Sequence, residues 1–356
     1  MTTATEKMIH AIEYVVKPIG IGTNLALLHL LWAMVSGAFL PSRGAVHTAL
    51  KLSGRTDEEI RRAGNALRTG QWQISELILR WRTWVNQNGN WQRRTHEGWY
   101  AVSCDAVVFP RLKLQGWLAK MYRGVFGKAV RAVGLGVIVE VGHYNGERVP
   151  LLLKIVRCKN DKQSESQLKQ DLLHAGARWL EENGVLVHDA GASLKDVQRS
   201  GAERYIVRLA TNCVARWPHL PDVPHGNRQY GEAIRPLERT SNGVVTPATN
   251  DATEITTFEY QGRTIEAHHW RGVVGKKDKV ADNAEQHDIW VFLTRCIKSR
   301  CCLVQTWLRQ PKQFFSCIWT DGLLSKYLWQ PNRLLAYIAI LFPISNVVGD
   351  YLNLDF

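Results

Sequence analysis

Tyr100-Ala101-Val102-Ser103-Cys104-Asp105-Ala106-Val107-Val108-Phe109 is an apolar run interrupted by a single aspartate, and its reading decides the fold. A run of this length and texture predicts a β-strand from Trp99 to Phe109 with both faces covered. A carboxylate inside such a strand is costly unless something compensates it. A divalent cation held by several carboxylates would do so, because carboxylate oxygens are the ligands that magnesium prefers. Backbone amides at a strand end would do so as well. Taken singly, Asp105 is either a metal ligand or a strand-end aspartate.

Beyond a basic segment, two further strands are expected at Leu135 to Val141 and Val149 to Val156. The turn between them, Gly142-His143-Tyr144-Asn145-Gly146, carries an Asn-Gly pair that favours a hairpin. A helix is then expected from Gln163 to Glu182, a strand at Val185 to His188, a short helix from Leu194 to Ser200 and a strand at Arg204 to Leu209. Three strands in a meander followed by helix, strand, helix and strand resemble, in their order, the succession of a ribonuclease-H-like mixed sheet. The fold class expected is therefore α/β. Strands that follow the helices should pair in parallel through right-handed crossovers, bringing the carboxyl ends of Ala101 to Val108 and Val185 to His188 close together.

The second acid stands where that geometry needs one. In Gly184-Val185-Leu186-Val187-His188-Asp189-Ala190-Gly191-Ala192-Ser193, four apolar or aromatic positions lead into Asp189 ahead of the short helix. Aspartate and serine before a helix are also ordinary capping residues, so Asp189 alone reads as a cap or as a ligand. The two acids at adjacent strand ends jointly favour metal binding. Two metal ions about 3.5–4 Å apart can activate water or a DNA 3′-hydroxyl and stabilise the leaving oxygen of an in-line phosphoryl displacement. Such a site needs a third acid.

Towards the amino terminus the pattern changes to helical spacing. Between Ile21 and Val85 apolar residues such as Leu25, Leu28, Leu31 and Trp32 recur at that period, broken at Gly37, Pro41 and Gly54. Arg43, Arg55, Arg61, Arg62 and Arg68 lie among these helices. They read either as a basic strip over short helices that enter a DNA groove or as the solvated face of an ordinary bundle. Towards the carboxyl terminus, residues 217–289 are rich in Pro, Asn, Gly and Thr. They hold a hairpin from Thr257-Phe258-Glu259-Tyr260 through Gln261-Gly262 to Thr264-Ile265-Glu266, so this stretch is expected to be a β-rich insertion.

Composition agrees with a polyanion partner. The 356 residues carry 45 Lys+Arg against 32 Asp+Glu, a net charge of +13, which points first to nucleic acid and second to a basic but otherwise ordinary enzyme. With 45% apolar residues the chain can bury a core in two or three domains. Met1 to Lys17 lacks the uninterrupted apolar run of a secretory signal. Neither Ile19 to Leu40 nor Leu334 to Val348 suits a membrane span, the first for its polar residues and glycines and the second for its length and Pro343. Seven cysteines without paired spacing before Cys296 suit a reducing compartment. A cytoplasmic, nucleoid-associated protein is expected.

At this point the chain resembles the DDE transposases of bacterial insertion sequences, the group with a β-rich insertion between the second aspartate and the final glutamate. The resemblance spans about residues 20 to 292. It rests on Trp32-Ala33-Met34-Val35-Ser36-Gly37, Gly70-Gln71-Trp72, Asp105 in its strand, Asp189-Ala190-Gly191 with Arg204-Tyr205-Ile206-Val207-Arg208-Leu209, and the insertion. It implies a helical DNA-binding domain over residues 1–95 and a catalytic domain over 96–292. It also implies that Asp105 and Asp189 are the first two catalytic acids and hold Mg2+ or Mn2+. The partners implied are double-stranded transposon ends and target DNA, engaged by a synaptic homodimer. Arg111, Lys113, Lys120, Arg123, Lys128 and Arg131 would then lie along a phosphate path with Trp117 and Tyr122 available for stacking, or else form a solvated basic face with a buried aromatic seam.

The family's third acid, a glutamate commonly set in Arg-Trp-x-x-Glu, does not follow Ile289. Glu285 is the last glutamate in the chain and precedes a strand-like Ile289-Trp290-Val291-Phe292. After Phe292 the texture changes: Cys296, Cys301, Cys302 and Cys317 make four of the seven cysteines, and glutamate and histidine vanish. Ordinary codons for Thr294 to Leu303 and for Cys317 to Lys326, read two bases later, can spell a strand continuation and then an Arg-Trp-Pro-Val-Glu stretch. Residues 293–356 are therefore expected to be an out-of-frame tail with no selected structure. A zinc site on the four cysteines fits less well, since their spacing matches no familiar pair of knuckles.

These readings converge on an enzyme that cleaves and joins DNA strands at insertion-sequence ends. The alternative is a transposase-derived repressor that occupies the ends without catalysis. A structure-selective nuclease on the same fold would instead prefer branched DNA.

Overall fold

The structure, a computed structural model, describes residues 4–16, 26–39, 41–42, 45–70, 72–96, 98–110, 119–123, 126–144, 146–158, 163–188, 194–208, 213–217, 232–249, 251–260, 263–274, 286–294 and 297–305. In chain order its elements are α1 (Ala4–Val16), α2 (Leu27–Val35), α3 (Val46–Leu52), α4 (Asp57–Thr69), α5 (Ile74–Asn88), β1 (Trp91–Arg93), β2 (Thr95–His96) and β3 (Trp99–Pro110). There follow β4 (Ala119–Arg123), β5 (Lys128–Tyr144), β6 (Glu147–Arg157), α6 (Glu165–Ala177), β7 (Gly184–His188), α7 (Leu194–Arg199) and β8 (Tyr205–Arg208). The last group is β9 (Ala215–Arg216), β10 (Ala233–Ile234), β11 (Arg239–Ser241), β12 (Val244–Thr246), β13 (Glu254–Tyr260), β14 (Arg263–Val274), β15 (Gln286–Thr294) and β16 (Ile297–Gln305). The fold is mixed α/β, as expected. It divides into two compact units: Met1–Arg93, Ala106–Glu165 and Leu324–Phe356 make the first, Arg94–Asp105 and Ser166–Leu323 the second.

The first unit opens with helices whose apolar spacing sets their buried faces. In α4, Ile60, Ala63, Ala66 and Leu67 are buried on one side, while Asp57, Glu58 and Glu59 crowd the first turn, where the helix dipole favours negative charge. Thr56 caps this helix: its hydroxyl accepts from the Glu59 amide at 3.3 Å and the Glu59 carboxylate accepts from the Thr56 amide at 2.8 Å. Helix α1 is an addition to the sequence reading, which began its helical pattern at Ile21. It buries Ala11, Val15 and Val16.

Strand β5 organises the sheet of this unit, with β1, β4 and β6 all antiparallel to it. Every residue from Ala132 to Gly142 is buried, so this stretch is covered on both faces. The β5–β6 hairpin sets Tyr144 opposite Glu147, with Gly146 at φ +79°, in agreement with the Asn-Gly signal. Trp91 of β1 lies so closely over Gly142 that any Cβ there would collide with its indole ring.

In the second unit β3, β7 and β8 form a parallel set. Tyr100 pairs with Gly184 and Cys104 with His188 along the first ladder, and Leu186 pairs with Tyr205 along the second. Helix α7 spans the connection from β7 to β8, and α6 leads into β7. Leu168, Leu172 and Leu173 of α6 are buried, and a Cβ on its Gly176 would strike the Cys104 sulfur and come within 3.0 Å of Leu186. That close approach is why a glycine stands there. Helix α6 stops at Ala177, five residues short of the expected Glu182. The Trp179 and Leu180 amides instead donate to Gly176 and Ala177, tightening the chain into the turn that sets Gly184 beside Tyr100.

The insertion has its own small core. Ala215, Ile234, Trp270, Ile289 and Val291 are buried together, with Trp217, Leu237 and Ala252 packed against them. The expected hairpin is present as β13–β14, with Tyr260 opposite Arg263. Strand β14 pairs in turn with β15, and β15 with β16. Within the tail expected to be out of frame, residues 297–305 form β16, which also pairs with β8. Among the described residues no helix is long and apolar enough to cross a membrane, a statement that leaves β-barrels aside.

Candidate active site

Strand β3 buries Tyr100, Ala101, Val102, Ser103 and Cys104 before it reaches Asp105, which is half-buried. Side chains alternate along a strand. Cys104 faces α6 through Gly176, so Ser103 and Asp105 occupy the opposite face. The ladder to β7 is in register to its last described pair, Cys104 with His188. Asp105 and Asp189 are the residues immediately after these two. Asp189 itself lies outside the described residues, as does Glu285. The expected parallel pairing of the two strands is therefore present, with the aspartate of the first at the end of the paired stretch.

The neighbouring thiol is not a nucleophile. Burial raises the Cys104 pKa far above the usual thiol range, and the Asp105 carboxylate next to it adds to that effect. The group stays protonated and packs as a small apolar side chain. Chemistry at this strand end would have to come from carboxylate oxygens. Among the described residues no group of three or more His, Cys, Asp or Glu is placed to share a metal ion. Asp105 carries a carboxylate of the kind Mg2+ or Mn2+ would take, and Asp189, the other expected ligand, falls outside the described residues.

The basic residues separate into two groups. Acids of α4 engage expected DNA-binding arginines on and just before that helix: Arg61 and Arg62 donate to Glu58 at 2.7 and 2.8 Å, and Arg55 reaches Glu59 at 3.4 Å. The two arginines hold Glu58 well below the usual carboxylate range, at about 2. This arrangement follows from acids placed three and four residues before or after each arginine, and it leaves the first turns of α4 close to neutral. Arg68 is exposed in the last turn, where a cation suits the helix dipole. Lys120, Lys128 and Arg131 are exposed on the β4–β5 ribbon, with Lys120 opposite Arg131 and Arg123 opposite Lys128. Arg43, Arg111, Lys113 and Trp117 lie outside the described residues.

Two features of the structure had no signature in the sequence. Arg93 donates to Glu140, an acid in the buried centre of β5, across 47 positions of chain. Tyr205 of β8 and His287 of β15 meet at 3.1 Å in the interior of the second unit. Both are contacts between strands distant in sequence, and no local spacing marks them. No protein-family model matches the chain, and no curated protein matches it in sequence.

Proposed function

We propose that the chain is a DDE-type transposase on a ribonuclease-H-like core, which binds insertion-sequence ends and cleaves and joins DNA strands. The single observation that carries the reading is the parallel, in-register ladder of β3 and β7, because it ends at Cys104 and His188, the residues before Asp105 and Asp189. Supporting it are the α/β order of β5, β6, α6, β7, α7 and β8 and the net charge of +13. In this reading Asp105 and Asp189 hold Mg2+ or Mn2+, and the bound ions supply the activation of a water or 3′-hydroxyl and the stabilisation of the leaving oxygen. The protein's part is to fix the first carboxylate on a strand that packing makes rigid: Cys104 is wedged against Gly176 on one side, and Tyr100 is anchored by its bonds with Asn183 and Glu181. Exposed basic residues hold the DNA backbone by charge. A synaptic homodimer on double-stranded DNA is part of the proposal.

A second reading has its own observation, the absence of any glutamate after Glu285. A chain without the third carboxylate would occupy transposon ends and repress the complete enzyme. One experiment separates the two. The purified chain is incubated with labelled end DNA in Mg2+ or Mn2+ beside Asp105→Asn. The enzyme reading expects strand cleavage that the substitution abolishes while end binding persists. Binding without cleavage by the unmodified chain selects the repressor, and cleavage retained by Asp105→Asn removes Asp105 from the site.

A further inference from the structure

Where α2 packs beside the start of α4, two bases meet at one carboxylate. Glu59 commits its Oε2 to the capping box, accepting from the Thr56 amide at 2.8 Å and from the Thr56 hydroxyl at 3.1 Å. Its Oε1 faces Arg55 Nη1 at 3.4 Å and, from α2, His29 Nε2 at 3.8 Å. The second distance is too long for a hydrogen bond, so a neutral His29 rests beside the carboxylate without bonding to it. A protonated ring would need that same oxygen. Arg55 already has its Nε buried with no hydrogen-bond partner among the described residues, and losing Glu59 would strip a second nitrogen. The His29, Glu59 and Arg55 side chains are 31%, 32% and 27% exposed, and charges covered to this degree are screened less than those at an open surface.

The other charges around α2 do not enter this balance. Helix α1 carries Glu6, Lys7, His10 and Glu13, and α3 carries His47 and Lys51, while on α4 Glu58 is taken up by Arg61 and Arg62. The charges that act on His29 are those of Arg55 and Glu59. Burial first and Arg55 second hold the His29 pKa below its ordinary 6.5, against the pull of Glu59. A histidine depressed in this way supports the folded arrangement above 6.5, and that support is lost as pH falls from there towards the folded value.

From this arrangement we infer that His29 is a proton-operated latch between α2 and α4. The neutral ring lets α2 lie beside the cap of α4. The protonated ring contends with Arg55 for one oxygen of Glu59 and drives the two helices apart. Histidine is the side chain whose ordinary titration falls in the physiological range, so modest acidification is enough to work the device. The inference stands apart from the cleavage chemistry, because it concerns only the seating of α2.

The test is hydrogen–deuterium exchange on the full chain, read by mass spectrometry in peptides that cover Leu27–Val35. Exchange is compared at about pH 7.5 and about pH 5.5, on either side of the ordinary histidine value, with exchange times scaled for the intrinsic effect of pH. Helix α2 is expected to lose protection severalfold at the lower pH, while the buried stretch of β5 keeps its own, as a local opening requires. His29→Gln, which cannot take up a proton, is expected to keep α2 equally protected at both. Arg55→Gln, which removes the competing cation, is expected to shrink the pH dependence. The inference is overturned if α2 in the unmodified chain is equally protected at both pH values. It is overturned equally if either variant, shown folded by circular dichroism, keeps the full pH dependence. Failure of the chain to cleave end DNA in Mg2+ would sink the transposase reading and leave these results untouched.

Discussion

Cys104 of β3 stands opposite His188 of β7 in a parallel ladder, and the Cys104 sulfur is pressed against Gly176 of α6. The pairing and the packing together set where β3 delivers its next residue, Asp105. A small displacement of α6 would shift the carboxylate, so the stability of this contact is part of the proposed chemistry.

Gly176→Val tests the contact. A side chain at this position collides with the buried Cys104 sulfur and crowds Leu186. Overpacking of this kind destabilises by about 1–3 kcal/mol, which exceeds what a β-branched residue gains over glycine in a helix. The urea midpoint should fall, and Cys104→Ala in the same chain should recover part of the loss. An unchanged midpoint would mean that α6 does not press on the strands.

Arg93→Ala strips the partner from Glu140, which is buried within β5. Leaving one charge of such a pair alone costs about 3–5 kcal/mol. Because Arg93 is partly exposed, the loss should lie near the lower end. Adding Glu140→Leu should restore most of it, since an apolar residue of similar size suits that position. Chemical denaturation of the single and double variants reads the difference.

Cys104 and Cys213 should resist alkylation in the folded chain. Burial raises Cys104 far above the usual range and pushes Cys213 up to about 11, so little reactive thiolate exists at pH 8. Peptide mass mapping after brief iodoacetamide treatment should find both unmodified in native protein and both modified in urea. Fast native labelling of Cys104 would contradict its placement against α6.

The pairing of Glu58 with Arg61 and Arg62 predicts an acid-side stability window. Its pKa is lowered from 4.5 to about 2 in the folded chain. A group with a depressed folded pKa stabilises above its unfolded value and loses that contribution as pH falls towards the folded one. The Glu58→Gln variant should therefore lose less stability than the unmodified chain between pH 4.5 and about 2. Added salt should shrink the difference, because the pair is exposed. Parallel melting curves across that range decide it.

Much of the fold was legible locally. The apolar run to Phe109, the turn signals between β5 and β6 and between β13 and β14, and the apolar strand before Asp189 are signals of neighbouring residues, and the strands they mark or join are found in the structure. The boundaries were less legible. Helix α6 ends at Ala177 because the turn that places Gly184 beside Tyr100 competes with further helix. The arginines of α4 read in the sequence either as a basic strip facing DNA or as a solvated face of the bundle. Their acids at helical spacing neutralise Arg61 and Arg62 in place.

The sequence by itself determined the α/β class, the succession of β3, β5, β6, α6, β7, α7 and β8, the basic balance and the two aspartates set in or after apolar runs, because these depend on local periodicity and composition. Only the tertiary structure decided the register in which β3 and β7 pair, that Cys104 is buried beneath α6, that Glu140 is held by Arg93, and that Lys120 stands opposite Arg131. These are pairings between residues distant in the chain. Register and burial are set by how whole strands and helices pack, and no single stretch of sequence contains both partners.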